Sequence, residues 1–207
     1  MTAPTLALDG LTPIPPTHVA AVVTYLEMRR PPAPAPDAPP TLEPIGADLA
    51  RYRALYARIG EPWLWASRRR LDDAGLARIL ADPAVSALAL TSAGGDVGLV
   101  ELDRRVPGEV EIAFFGLVPE ATGQGTGPRL MAEALRRAWS GTVARVWLHT
   151  CTLDHPAALG FYRRCGFAPY ARAVEVIPDP RLAGHLPRDA APQVPVLARP
   201  EEPITGP

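Results

Sequence analysis

Apolar positions along the chain switch between a period of two and a period near 3.6, and the switches mark the elements. Residues 18–28 are rich in β-branched and aromatic side chains and run into proline, which predicts a first strand. Residues 31–44 are half proline, an extended stretch that cannot be helical. Asp48 stands where it can cap a helix running to Ile59 and stopped by Gly60 and Pro62. A second helix is expected from Asp72 or Asp73 to just before Pro83. Residues 85–91 and 96–103 read as strands joined in a hairpin through Ala93, Gly94 and Gly95. Residues 110–117 alternate as a further strand. So do residues 144–151, with Arg145, Trp147 and His149 on one face and Val146, Leu148 and Thr150 on the other. Between them Leu130, Met131, Ala134, Leu135, Ala138 and Trp139 recur at helical spacing, while Arg129, Glu133, Arg136 and Arg137 take the wet face. Asp154 is placed to cap one more helix, ended by Gly166, and residues 171–177 supply a last strand.

This pattern describes an α+β domain with a mixed, mostly antiparallel sheet flanked by helices. We expect one domain over residues 1–181, with 31–47 as a proline-rich connecting segment, and a proline-rich C-terminal tail over 182–207.

The most informative stretch is residues 118–129, a glycine-rich turn between an apolar strand and an amphipathic helix. Gly123, Gly125 and Gly127 open backbone conformations closed to other residues, so that consecutive N–H groups converge on one point. Pro128 suits the first helical turn, where its missing N–H would lack a partner anyway. A helix start of this kind favours phosphate through its donors and its dipole. A P-loop would place Gly-Lys-Ser/Thr here, and the chain has no lysine.

The strand at 110–117, the Gly-x-Gly-x-Gly loop, the helix, the next strand and then the run from Asp154 to Phe167, with Tyr162 and Gly166-Phe167 at its end, resemble the GNAT superfamily of acyl-CoA N-acyltransferases. The resemblance is close over residues 109–170 and loose over 48–108. Thr122 stands where the superfamily usually has Arg or Gln, and His155 where it often has Asn. The resemblance implies a GNAT-like fold and transfer of an acetyl group from acetyl-CoA, as cosubstrate, to an amine acceptor by direct attack in a ternary complex. The pyrophosphate would lie on Thr122, Gly123, Gln124, Gly125, Thr126 and Gly127, the pantetheine arm along the backbone of Leu117 and Val118 and near His155. The other reading is a non-catalytic acyl-CoA-binding sensor or scaffold module, distinguished by tight coenzyme binding without thiol release.

An amine must lose a proton before it attacks a thioester, so a base or a water relay is required. Glu111, twelve residues before Gly123, is the expected base; it matches a strand position where some members of the superfamily carry a catalytic Glu, and a glutamate on a solvated strand face is the plain alternative. Glu101, Asp103 and His149 are the reserves. Tyr162 is the expected acid, since the resemblance puts a tyrosine here against the leaving sulfur, although packing also accounts for it. Gly116 is expected to mark a bulge that splays its strand from the next one. Tyr56, Trp63, Trp65 and the run Arg68-Arg69-Arg70 occupy a region that lines the acceptor site in the superfamily, yet they suit core and solvated surface equally.

Composition narrows the partners. A net charge of −1 and a pI near 6.4 argue against general affinity for nucleic acid, which would need a basic stripe. No stretch nears the ~20 apolar residues of a membrane span, and no basic start with an apolar run suggests secretion, so a cytoplasmic protein is expected. The acceptor is expected to be a small molecule or protein amine, and a homodimer would fit. Cys151 and Cys165 lack metal-binding spacing, no metal is expected, and small buried side chains are the simplest account of both.

Overall fold

The computed structural model describes residues 9–33 and 40–197; the middle of the proline-rich segment and the last ten positions of the expected tail lie outside them. Within these bounds the chain forms strands β1 (His18–Met28), β2 (Leu42–Pro44), β3 (Val85–Ser92), β4 (Gly95–Asp103), β5 (Glu109–Leu117), β6 (Arg145–Cys151) and β7 (Ala168–Pro178). Helices α1 (Leu49–Gly60) and α2 (Asp73–Leu80) precede β3, α3 (Thr126–Ala138) follows β5 and α4 (Ala158–Arg164) follows β6. The strands join one sheet in the order β2-β3-β4-β5-β6-β1-β7, in which β5 and β6 form the parallel pair and the other pairings are antiparallel.

Local chemistry accounts for the helix ends. Asp48 accepts from the Arg51 N–H at 2.9 Å and Asp72 from the Gly75 N–H at 2.7 Å, so each of α1 and α2 starts at a carboxylate cap. Asp154, expected to cap α4, does not. Its carboxylate turns back to Thr150 and to the Cys151 N–H, and α4 starts only at Ala158.

Each sheet face carries its own core. Leu130, Met131, Ala134 and Leu135 of α3 bury against Leu26, Val100, Leu102, Val110, Val146 and Leu148. On the other face Tyr52, Leu55, Tyr56, Ile59 and Leu76 from α1 and α2 cover Ala87, Ala89 and Leu99. Burying each large side chain contributes about 1.5–3 kcal/mol, so either helix layer supplies most of its own anchorage.

The first strand sits deep in the C-terminal half of the sheet, between β6 and β7, pairing Val23 to Met28 with Cys151 to Val146. The segment past β7 folds back on it. Arg181, with its side chain 1% exposed, pairs with Asp179 and donates to the carbonyls of Ala190, Ala191 and Val194, while Leu186 and Ala191 pack on Val19, Leu64 and Ala66. Residues past 182, expected as a tail, are therefore packed against the domain at least through Val194.

Candidate active site

Parallel pairing of β5 with β6 runs from Glu109 beside Arg145 to Glu111 beside Trp147 and then stops. Beyond Glu111 the register of β5 on β4 skips: Glu101 faces Phe114 and Leu102 faces Ile112, leaving Ala113 unpaired. The bulge expected at Gly116 thus lies at Ala113, three residues earlier. It flips the alternation of β5 and bends the strand away from β6, so the two arms open into a V. Gly116 serves a different purpose. A Cβ on it would sit 2.4 Å from Ile59 Cγ2, so only glycine lets α1 approach the strand this closely.

At the foot of the V, on the face bearing α1, Glu111 Oε1 lies 3.7 Å from His149 Nδ1. Glu111 and His149 keep side-chain exposures of 24% and 47%, enough for a substrate to reach both. The Glu111 carboxylate raises the His149 pKa above its ordinary value, outweighing the opposing effect of burial. Tyr25 and Trp147 flank the pair, and Asp103, Arg105, Val106, Glu109, Glu111 and Trp147 line an adjoining cavity of about 290 Å³. Of the reserve bases, His149 is thus beside Glu111 and Asp103 lines the same cavity, where Arg105 holds its carboxyl below the usual range. Glu101 is fully buried beneath α1, bonded to Tyr52 and Arg68.

At the open end of β5 the chain enters the glycine loop. Gly123 and Gly125 hold φ of 80° and 76°, values that favour glycine, whereas Gly127 is helical, and a Cβ on it would meet the Phe161 ring at ordinary contact distance. Two glycines, not three, supply left-handed turns. Gly125 is the N-cap of α3 and offers no side chain, so the first helical N–H groups lack a side-chain partner. Thr122 Oγ1 donates to the Val118 carbonyl at 3.2 Å and Gln124 Nε2 to the Glu120 carbonyl at 2.7 Å, so both side chains brace the loop from beneath. The Val118 N–H donates to the Val97 carbonyl at 2.9 Å, committing it to β4. Alternation then turns the backbone groups of Leu117 toward the V.

Tyr162 lies on α4 among the rings of Phe115, Phe161 and Phe167, and burial, followed by the nearby Asp154 carboxylate, raises its pKa. Its hydroxyl makes no hydrogen bond among the described residues. His155 is exposed beside Trp63, and its Nδ1 accepts from the Ala157 N–H at 3.1 Å, stabilising the turn into α4. Burial pushes the Cys151 thiol up to about 11 and raises that of Cys165, so both stay protonated at neutral pH.

A strand end splayed beside a glycine loop on a bare helix start, with a carboxylate and an imidazole side by side at the fork, agrees with what the chain is similar to. The sequence model of the acetyltransferase (GNAT) family matches residues 52–167, more than half of the chain. The chain belongs to the GNAT acetyltransferase family. It is 34% identical over 127 residues, 58% of this chain and 73% of the relative, to an N-alpha-acetyltransferase RimI of Mycobacterium tuberculosis. Among solved structures it resembles a conserved protein of Staphylococcus epidermidis, with a TM-score of 0.60 at 15% identity over 78% of this chain and 63% of that one. It also resembles a GNAT-family protein of Novosphingobium aromaticivorans, with a TM-score of 0.55 at 17% identity over 80% and 68% of the two chains. These two likenesses are of fold. The chain is accordingly an N-acetyltransferase that moves an acetyl group to an amine, and GNAT enzymes take acetyl-CoA as cosubstrate. No helix among the described residues is long and apolar enough to cross a membrane.

In this GNAT domain two further residues hold the V in shape. Trp65 Nε1 donates to Asp154 Oδ1 at 3.0 Å, and Asp154 accepts from Thr150 Oγ1 at 2.7 Å, joining the loop after α1 to the end of β6. Sequence spacing cannot reveal a contact between positions 89 apart. The nearest signal is chemical: two tryptophans, Trp63 and Trp65, between two helices, and an aspartate close before a helix.

Proposed function

We propose that the chain acetylates a primary amine that approaches over Glu111 and His149 and attacks acetyl-CoA directly. The Glu111–His149 pair at the foot of the V is the observation that carries this reading. The incoming ammonium gives its proton to neutral His149, or through water to Glu111, and the paired carboxylate steadies the resulting imidazolium. The freed amine then attacks the thioester carbonyl; the C–N bond forms, the C–S bond breaks, Tyr162 protonates the departing thiolate, and the second proton shed by the nitrogen as it becomes the amide passes through water to restore the Tyr162 phenol. Gly123, Gly125, Thr126 and Gly127 present N–H groups to the pyrophosphate, and the Leu117 backbone holds the pantetheine arm as an added strand would. Thr122, Gln124, Val118 and His155 shape these elements from behind.

The acceptor on this reading is the α-amine of a peptide or protein. The RimI relative is named for such an amine, and an α-amino group with a pKa of about 7.7–8.0 arrives partly neutral at physiological pH. Asp103, Glu109 and Glu111 around the adjoining cavity suit its residual positive charge.

Thiol release from acetyl-CoA, scored against peptides with varied first residues and against polyamines and aminoglycosides, tests the acceptor class. With the best acceptor, Glu111→Gln should lower kcat/KM by roughly 10²–10⁴-fold near neutral pH. Because the carboxylate raises the His149 pKa, its removal should also move the acidic limb of the pH profile to lower pH. A flat ratio near one between the two proteins at every pH would overturn the assignment.

A further inference from the structure

Trp65 touches both arms of the V. A Cβ on Gly116 of β5 would lie 3.2 Å from Trp65 Cη2, and at its other end the indole N–H reaches Asp154, which also ties down Thr150 of β6. The ring therefore lies across the gap, on the face bearing α1. The coenzyme arm, on the reading above, comes from the opposite side, where Leu117, Phe161 and Tyr162 pack with α3.

The indole is fixed where it lies. Leu64, buried and at φ 57°, turns the chain back so that the Trp65 N–H donates to the Gly60 carbonyl at 3.0 Å. A Cβ on Gly60 would come within 2.4 Å of Trp65 Cβ, so the backbone of α1 closes one side of the residue. Phe114 and Tyr56 hold the ring at centroid distances of 5.3 and 5.6 Å. Swinging the indole aside would break its bond to Asp154 and empty a packed aromatic cluster.

We propose that Trp65 is the floor of the acyl pocket and restricts the enzyme to short acyl groups, a specificity role that rests on the thioester lying in the V. An acetyl group ends before the ring. Each further methylene of a longer chain meets the indole, and a single methylene in a filled pocket discriminates by about 10–200-fold.

Calorimetric titration of the full chain with CoA, acetyl-CoA, butyryl-CoA and hexanoyl-CoA tests this without any acceptor. The parent should bind hexanoyl-CoA at least about tenfold more weakly than acetyl-CoA, and Trp65→Ala should bring that ratio to within about threefold. Trp65→Phe, which keeps a ring beside Phe114 but cannot reach Asp154, should give an intermediate ratio and decides the matter if circular dichroism shows the alanine variant unfolded. A parent that binds hexanoyl-CoA as well as acetyl-CoA overturns the floor role and leaves acetyl transfer standing. An unchanged ratio in a folded Trp65 variant does the same. Failure of all four compounds to bind would overturn the coenzyme site itself, and the acyl pocket with it.

Discussion

Replacing Arg68 by Met should strand a carboxylate in the core beneath α1. Glu101 on β4 is fully buried; Oε1 accepts from Arg68 at 2.5 Å and Oε2 from the Tyr52 hydroxyl at 2.5 Å. Burial and the Glu101 carboxylate together raise the Tyr52 pKa, so the phenol stays a donor and leaves Arg68 as the charge partner. Breaking a buried pair from one side costs about 3–5 kcal/mol. Arg68 keeps 15% of its side chain exposed, which admits some water and argues for the lower end, about 3 kcal/mol. Its guanidinium also lies 4.8 Å from the centre of the Phe114 ring, and that contact adds about 0.5–1 kcal/mol. A loss of about 3–4 kcal/mol is a large share of the 5–15 kcal/mol typical of a folded domain, and at about 2–4 °C per kcal/mol it lowers Tm by roughly 6–16 °C.

Urea unfolding of the parent, Arg68→Met, Glu101→Gln and the double variant measures both the loss and its origin. The amide in the double variant carries no charge to strand, so the double should be more stable than the two single losses added together predict, by about 1–2 kcal/mol. An Arg68→Met protein within about 1 kcal/mol of the parent, or strict additivity in the cycle, would refute the reasoning and make the pair a solvated contact.

Gly125→Val should lower CoA affinity at least about tenfold, since one charge-assisted hydrogen bond from a helix start is worth that much; Gly125 has φ 76° with nothing within 4 Å of its Cβ position, so the loss comes from the backbone and the blocked approach, and undiminished calorimetric affinity would move the anion site elsewhere. Tyr162→Phe should lower kcat with little change in acetyl-CoA affinity, because its ring still packs with Phe115, Phe161 and Phe167 while the proton donor is gone; unchanged turnover would assign Tyr162 to packing.

Much of the fold is legible because it obeys short-range rules. The caps Asp48 and Asp72, the hairpin through Gly94 and Gly95 and the helix through Leu130 to Ala138 follow from neighbours within a few positions. The loop at Gly123 and Gly125 is equally local. What was misplaced depends on contacts across the chain. The bulge sits at Ala113 because β4 sets the register there, and nothing about an alanine announces it. Gly116 looks like a bulge residue in sequence, yet its missing side chain makes room for Ile59 and Trp65. Asp154 has the composition of a helix cap and instead ties β6 to a tryptophan far up the chain. Prolines after 182 suggest a tail, and the buried Asp179–Arg181 pair just before them, which gathers three carbonyls and folds the segment back, is a contact no local pattern announces.

These long-range contacts share a mechanical consequence. An unpaired strand end is free to drift, and a V left unbraced beyond its fork would not keep a sub-ångström geometry. The chain braces both arms from outside the fork. β1, taken from the N-terminal part, pairs along β6 as far as Cys151, so the arm carrying His149 is part of a continuous ladder. The segment after β7 packs Leu186 and Ala191 on Leu64 and Ala66, the residues on either side of Trp65, while Gln193 donates to the Pro62 carbonyl at 2.6 Å and Arg69 to the His185 carbonyl at 2.9 Å. The loop that carries Trp65 is thus held from the C-terminal segment, and Trp65 in turn holds the gap between β5 and β6. Sequence regions with the least regular patterning are the ones that fix the spacing of the site.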